Sequence, residues 1–110
     1  MILKINNDEY IKVYEAKTFF KKLMGFMGKT NIKHALLFKR TNSIHTFFMK
    51  ENIDVVAIDK HDIVIFKALN IPKNKIITVN NKLKNTSIIE MPAFKAKKLV
   101  IGEKLTFISK

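Results

Sequence analysis

Residues 43–59, SIHTFFMKENIDVVAID, carry the reading that decides the fold. Residues 44–49 and 53–58 are rich in β-branched and aromatic side chains, and Lys50-Glu51-Asn52 between them has the length and polarity of a hairpin loop. A second polar stretch, Asp59-Lys60-His61-Asp62, leads into Ile63-Val64-Ile65-Phe66. Connections this short predict three consecutive antiparallel strands, a meander. Alternation puts His45, Phe47 and Met49 on one face of the first run and Ile44, Thr46 and Phe48 on the other. Both sets are largely apolar, so both faces are expected to be covered. Asp54, just past the loop, is expected opposite or diagonal to Met49.

Working outward, Ile2 to Ile5 and Tyr10 to Tyr14 are β-type runs around the turn-forming cluster Asn6, Asn7 and Asp8, an opening hairpin. Ala16, Phe19, Phe20, Leu23 and Met27 recur at helical spacing, with Lys17, Lys21 and Lys22 on the other side, predicting an amphipathic helix over 16–27. Gly25 either ends that helix or lets its backbone approach a sheet, and Gly28 is a second candidate cap. Ala35 to Phe38, Ile76 to Val79, Ser87 to Met91 and Lys104 to Ile108 read as further strands. The stretch 70–75, with Pro72, reads as irregular, and 80–85 as an exposed polar loop. Pro92 can open a second helix bearing Ala93, Ala96, Leu99 and Val100 as an apolar stripe. The expectation is an α+β, β-dominated single domain over 1–110: a compact, barrel-like mixed sheet with two short helices. So many short strands must curl to bury a face and hide their edges.

Composition narrows the function classes. A chain that is 47% hydrophobic and 27% charged has the balance of a folded domain. Without cysteine there is no disulfide, thiolate zinc site or cysteine nucleophile, which points to a cytoplasmic protein. No targeting or membrane segment is visible. The net charge of +12 raises nucleic acid as a partner, with Lys73, Lys75, Lys82, Lys84, Lys95, Lys97 and Lys98 as candidate contacts. Against this, Arg40 is the sole arginine, whereas phosphate and base recognition favours the guanidinium fork. Lysine, isoleucine and asparagine also share AT-rich codons, which accounts for the profile without selection for a polyanion.

His45, Phe47, Met49 and Asp54 are the candidate ligand-binding residues, for an unknown small molecule or protein. Their alternative reading is structural: a satisfied core histidine, a gap-filling methionine and an aspartate bonded to turn amides. No HxH or HxxxH spacing concentrates metal ligands, and no metal or cofactor is predicted. An enzyme is unsupported. Ser43 lies two residues from His45, but no nucleophile elbow, phosphate-binding glycine loop or paired-carboxylate motif is present.

The order of motifs carries a resemblance. K-L-M-G-F-M-G-K-T, A-L-L-F, S-I-H-T-F-F-M-K-E-N-I-D-V-V-A-I-D, I-I-E-M-P-A-F and I-G-E-K-L together resemble the domain of unknown function 192 family, also called uncharacterised protein family 0127. The family's G-L-M element falls on Gly25, Phe26 and Met27, and its E-L-P-A-G element on Glu90, Met91, Pro92, Ala93 and Phe94, with Phe94 in place of a glycine. Its D-x-D-G turn falls on Asp59 to Asp62, again without glycine. The resemblance implies a compact mixed β structure and no established biochemical role.

Overall fold

Asn6 begins the fold by closing its own turn: its Oδ1 accepts the Asp8 N–H at 2.9 Å, and the flanking runs pair as β1 (Ile2–Lys4) and β2 (Tyr10–Glu15). In the computed structural model, which describes residues 1–79 and 85–109, seven further strands follow. They are β3 (Ala35–Phe38), β4 (Ser43–His45), β5 (Ile53–Ile58), β6 (Val64–Ile71), β7 (Ile76–Thr78), β8 (Ser87–Pro92) and β9 (Thr106–Ile108). Seven strands form one sheet in the order β6-β5-β8-β3-β2-β1-β9, and β4 and β7 form a separate ribbon. Among the described strands only the β2–β3 pair is parallel. The sheet curls until its outer strands approach each other. Ile63, just before β6, bridges Lys104, just before β9, and the Val64, Gly102 and Leu105 N–H groups donate across the gap at 2.8–2.9 Å. The barrel-like expectation holds.

Burial follows strand position. In β2, Ile11 and Val13 face inward while Tyr10, Lys12 and Tyr14 meet solvent. Every residue of β5 is buried, because β5 runs between β6 and β8 with both faces covered. Val56 and Ile58 join Leu3, Val13, Ile89 and Met91 inside the curl, while Ile53, Val55 and Ala57 pack on the other face with Phe26, Phe38 and Ile44.

The α+β class with two short helices is overturned: the chain is nearly all β. The first expected helix shrinks to α1, the six residues Phe19–Met24. The Ala16 N–H extends the sheet by donating to Leu37 O at 2.9 Å, Thr18 caps the helix by accepting from the Lys21 N–H, and Gly25 ends it at φ 49°. The second expected helix is a run of turns over residues 93–98. Its N–H groups bond three residues back, Lys95 to Pro92, Lys97 to Phe94 and Leu99 to Ala96. The Asp54 carboxyl takes the Phe94 and Ala96 N–H groups, and Phe94 sits at φ 67°, outside helical space.

The expected meander is also revised. β5 and β6 form their hairpin, but the first run stops at His45, and β4 pairs with β7 rather than β5. Thr46 breaks it. Its buried hydroxyl donates to Pro72 O at 2.7 Å and accepts from the Lys75 N–H at 2.8 Å, and Phe47-Phe48 then turn, with Phe48 at φ 62°. The stretch from residue 70 to 75 is irregular only beyond Ile71, where β6 ends. Most of the polar loop, residues 80–84, lies outside the described residues.

Candidate functional site

β8 alternates strictly: Ile89 and Met91 point into the curl, and Ile88 and Glu90 point to the opposite face. Glu90, paired between Leu36 of β3 and Val55 of β5, is therefore carried into an apolar layer and is only 3% exposed. The end of α1 lies over it. The Phe26 N–H bonds the carboxyl, and a Cβ on Gly25 would sit 3.0 Å from Glu90 Oε1. The positive φ calls for glycine at residue 25, and a side chain there would also press on the Glu90 carboxyl. Glu90 Oε1 is buried without a hydrogen-bond partner. Burial, opposed only by the Phe26 N–H, pushes the Glu90 pKa up to about 8, so the carboxyl is mainly protonated at neutral pH.

Glu90 lines a cavity of about 230 Å³ together with Gly25, Phe26, Thr41, Ser43 and His45. The neighbouring polar groups are already engaged. Lys22 Nζ donates to Lys39 O at 2.8 Å, the Thr41 hydroxyl donates to the same carbonyl at 3.0 Å, and the Ser43 and Thr78 hydroxyls are 3.1 Å apart. His45 Nδ1 accepts the Phe47 N–H at 3.1 Å, which leaves the proton of a neutral ring on Nε2, and the ring stacks on Phe47 at 5.2 Å between centroids.

The residues singled out in the sequence are divided by the structure. His45 lines the cavity and Phe47 backs its ring from an exposed turn. Met49 is buried in the layer containing Ile53 and Val55. Asp54 is on the opposite face of β5, where Oδ1 accepts from the Asn70 and Phe94 N–H groups and Oδ2 from the Ala96 N–H, all at 2.8 Å. Of the candidate nucleic-acid contacts, Lys73, Lys75, Lys97 and Lys98 are exposed, and Lys95 is half-buried. Lys95 and Lys98 lie 3.0 and 3.9 Å from Glu9. Lys82 and Lys84 lie outside the described residues. Among the described residues no three His, Asp or Glu side chains are grouped to hold a metal ion, and no helix is long and apolar enough to cross a membrane. Glu90 itself was missed. Its signal was there: one acid inside Ile88-Ile89-Glu90-Met91, at the strand position that shares a face with Ile88.

Three of the stretches that carried the family resemblance, around Gly25-Phe26, Ser43-Ile44-His45 and Glu90, meet at this cavity. A model of the DUF192 family, described as "Uncharacterized ACR", matches residues 1–107. The chain belongs to the DUF192 family. Curated relatives of this DUF192 chain include UPF0127 proteins of Thermococcus sibiricus, 44% identical over 54 residues, and Thermococcus kodakarensis, 46% identical over 54 residues. Each match covers 44% of this chain but only 35% and 34% of the relatives, so the match spans about a third of their length. Two crystal structures share the fold. A protein of unknown function from Novosphingobium aromaticivorans superposes with a TM-score of 0.77 at 12% identity, covering 96% of this chain and 82% of its own. A Sinorhizobium meliloti protein, provisionally named a transcription regulator, gives 0.75 at 16% identity over 96% and 90% of the two chains.

Proposed function

We propose that this DUF192 protein is a ligand-binding module whose site is the cavity over Glu90, at the His45 end of the 43–59 segment. One observation carries the reading: a carboxyl oxygen buried in an apolar layer has no partner, and its residue lines a cavity. Leaving a buried polar group unsatisfied costs about 1–3 kcal/mol, so such a group calls for an explanation, and a ligand that completes its hydrogen bonding supplies one. His45 and its stacked neighbour Phe47 form the rim, with Met49 packed below. Asp54 anchors the start of β5 from the far side. A two-dimensional amide NMR screen with a fragment library tests this. Saturable shifts centred on Gly25, Phe26, His45 and Glu90, weakened by His45→Ala with little loss of stability, are expected. Silence of those amides across the library removes the proposal.

A second reading, polyanion binding, draws on a different part of the surface. The Asn74 and Lys75 N–H groups bond Thr46, which sets exposed Lys73 and Lys75 beside the turn bearing Phe48, 75% exposed. Cations next to an exposed aromatic ring suit single-stranded nucleic acid. This reading requires oligonucleotide affinity that falls linearly with salt on logarithmic axes, and binding already absent near 150 mM salt defeats it.

A further inference from the structure

Glu90 says more about its ligand than that one is needed. Glu90 lines the cavity, one of its carboxyl oxygens lacks a partner, and the protonated acid therefore has an O–H to donate there. The layer that carries Glu90 is apolar: Leu36 and Val55 are its cross-strand neighbours, and Phe38 lies 3.5 Å from the position of a Gly25 Cβ. A single N–H donor in such a layer does not compensate a carboxylate, so the neutral acid is the resting form.

We infer that this cavity takes a neutral carboxamide, whose carbonyl oxygen accepts the proton of the Glu90 carboxyl and whose NH2 group donates to the hydroxyl oxygens of Ser43 and Thr41. The inference rests on the ligand-binding reading above and specifies its chemistry. Thr41 and Ser43 both line the cavity, and a hydroxyl keeps acceptor capacity beyond the single bond each makes here. A cationic ligand is disfavoured on two counts: Lys22 shares the cavity wall, and the chain carries a net +12. An anion fits poorly for another reason. It would be desolvated beside Met24, Phe26 and Ile44, which share the cavity wall with Glu90. The volume also suits a small group. About 230 Å³ exceeds the roughly 150 Å³ that accommodates benzene, enough for an amide and a few carbons.

Three matched probes decide the matter: propionamide, propionate and propylammonium, each titrated by amide NMR into the wild type, Glu90→Gln and Glu90→Met. Propionamide should give saturable shifts at Gly25, Phe26 and Glu90 and bind at least tenfold more tightly than either charged probe. Glu90→Met should weaken it at least tenfold. Glu90→Gln, which keeps a donor on the same fork, should retain affinity within a few-fold. Raising the pH from 6.5 to 9, through the Glu90 pKa of about 8, should weaken wild-type binding about tenfold and leave Glu90→Gln unchanged. A charged probe that binds more tightly, or propionamide binding indifferent to Glu90→Met, overturns the inference while ligand binding at the cavity stands. If all three probes are silent the inference also falls, and the broader fragment screen then decides separately whether the cavity binds anything.

Discussion

Asp54 and Glu90 stand one register step apart on paired strands, Asp54 opposite Met91 and Val55 opposite Glu90, and their surroundings are opposite in kind. Asp54 faces the inside of the curl, is fully buried, and spends both oxygens on three backbone N–H groups. Glu90 faces the other layer, has one N–H, and keeps an oxygen with no partner beside a cavity. Burial alone therefore does not separate a structural acid from a site acid. The separation lies in whether the backbone has been shaped to satisfy the carboxyl. At Asp54 the segment from Phe94 to Ala96 is bent into turns to meet it, and Lys67 holds the far end of that segment by donating to the Lys97 and Leu99 carbonyls at 3.2 and 2.7 Å. At Glu90 the backbone of Gly25 comes close and still leaves one oxygen bare.

The contrast breaks most sharply at Asp54. Asp54→Ala strands three buried N–H groups and should destabilise the fold by about 3 kcal/mol or more in urea denaturation. Asp54→Asn should fall between, because its amide still accepts from Asn70 and Phe94 but turns an NH2 toward the Ala96 N–H. A loss under about 0.5 kcal/mol for the alanine variant would put both acids in one class, since that is the range of ordinary surface substitutions.

Glu90 should respond in the opposite direction. Glu90→Met, similar in length and apolar, should raise stability by about 1 kcal/mol at pH 7, relief of the buried acid outweighing the acceptor lost to the Phe26 N–H, while weakening ligand binding at least tenfold. The pH dependence has the same origin. A carboxyl raised from its ordinary 4.5 to about 8 binds its proton more tightly when folded, so its stabilising contribution is complete below about pH 4.5. It is lost as pH rises through about 8, at no more than about 1.4 kcal/mol per pH unit for one proton. Urea midpoints from pH 5 to pH 9 should fall in the wild type and stay flatter in Glu90→Gln; parallel curves would mean that Glu90 does not titrate in this window.

The smallest effect expected is at Phe94, which stands where the family pattern has glycine. It is held at φ 67° and is 57% exposed. Phe94→Gly relieves a left-handed conformation that costs a bulky residue roughly 1–2 kcal/mol, and the measured gain should be about 1 kcal/mol because glycine's looser unfolded chain offsets part of it. Thermal denaturation resolves a change of this size.

Much of the strand layout was legible because alternation and turn residues are local. The β1–β2 hairpin, β3, β5, β8 and the β5–β6 connection follow from runs and breaks within a few residues. What was not legible depended on distant groups. The apolar stripe from Ala93 to Val100 has helical spacing, but the amides of Phe94 and Ala96 are claimed by Asp54, some 40 residues earlier in the chain. The run through Thr46 reads as a strand, but its hydroxyl is tied to Pro72 and Lys75. At the site, His45 was visible as a polar residue in an apolar stretch. Glu90 met the same criterion, and only the packing of Gly25 and Phe26 over it shows that it is the group left wanting.

The seam between Ile63 and Lys104 has a kinetic consequence. The curl is closed there by an isolated bridge and a handful of backbone bonds, whereas β5 and β8 are zipped along six consecutive residue pairs. Opening the seam disturbs neither the β5–β8 ladder nor the layer that holds Glu90. The protein thus has a built-in order of breathing, in which the Val64, Gly102 and Leu105 amides exchange with solvent deuterium through a local parting and the amides of the central ladder wait for global unfolding.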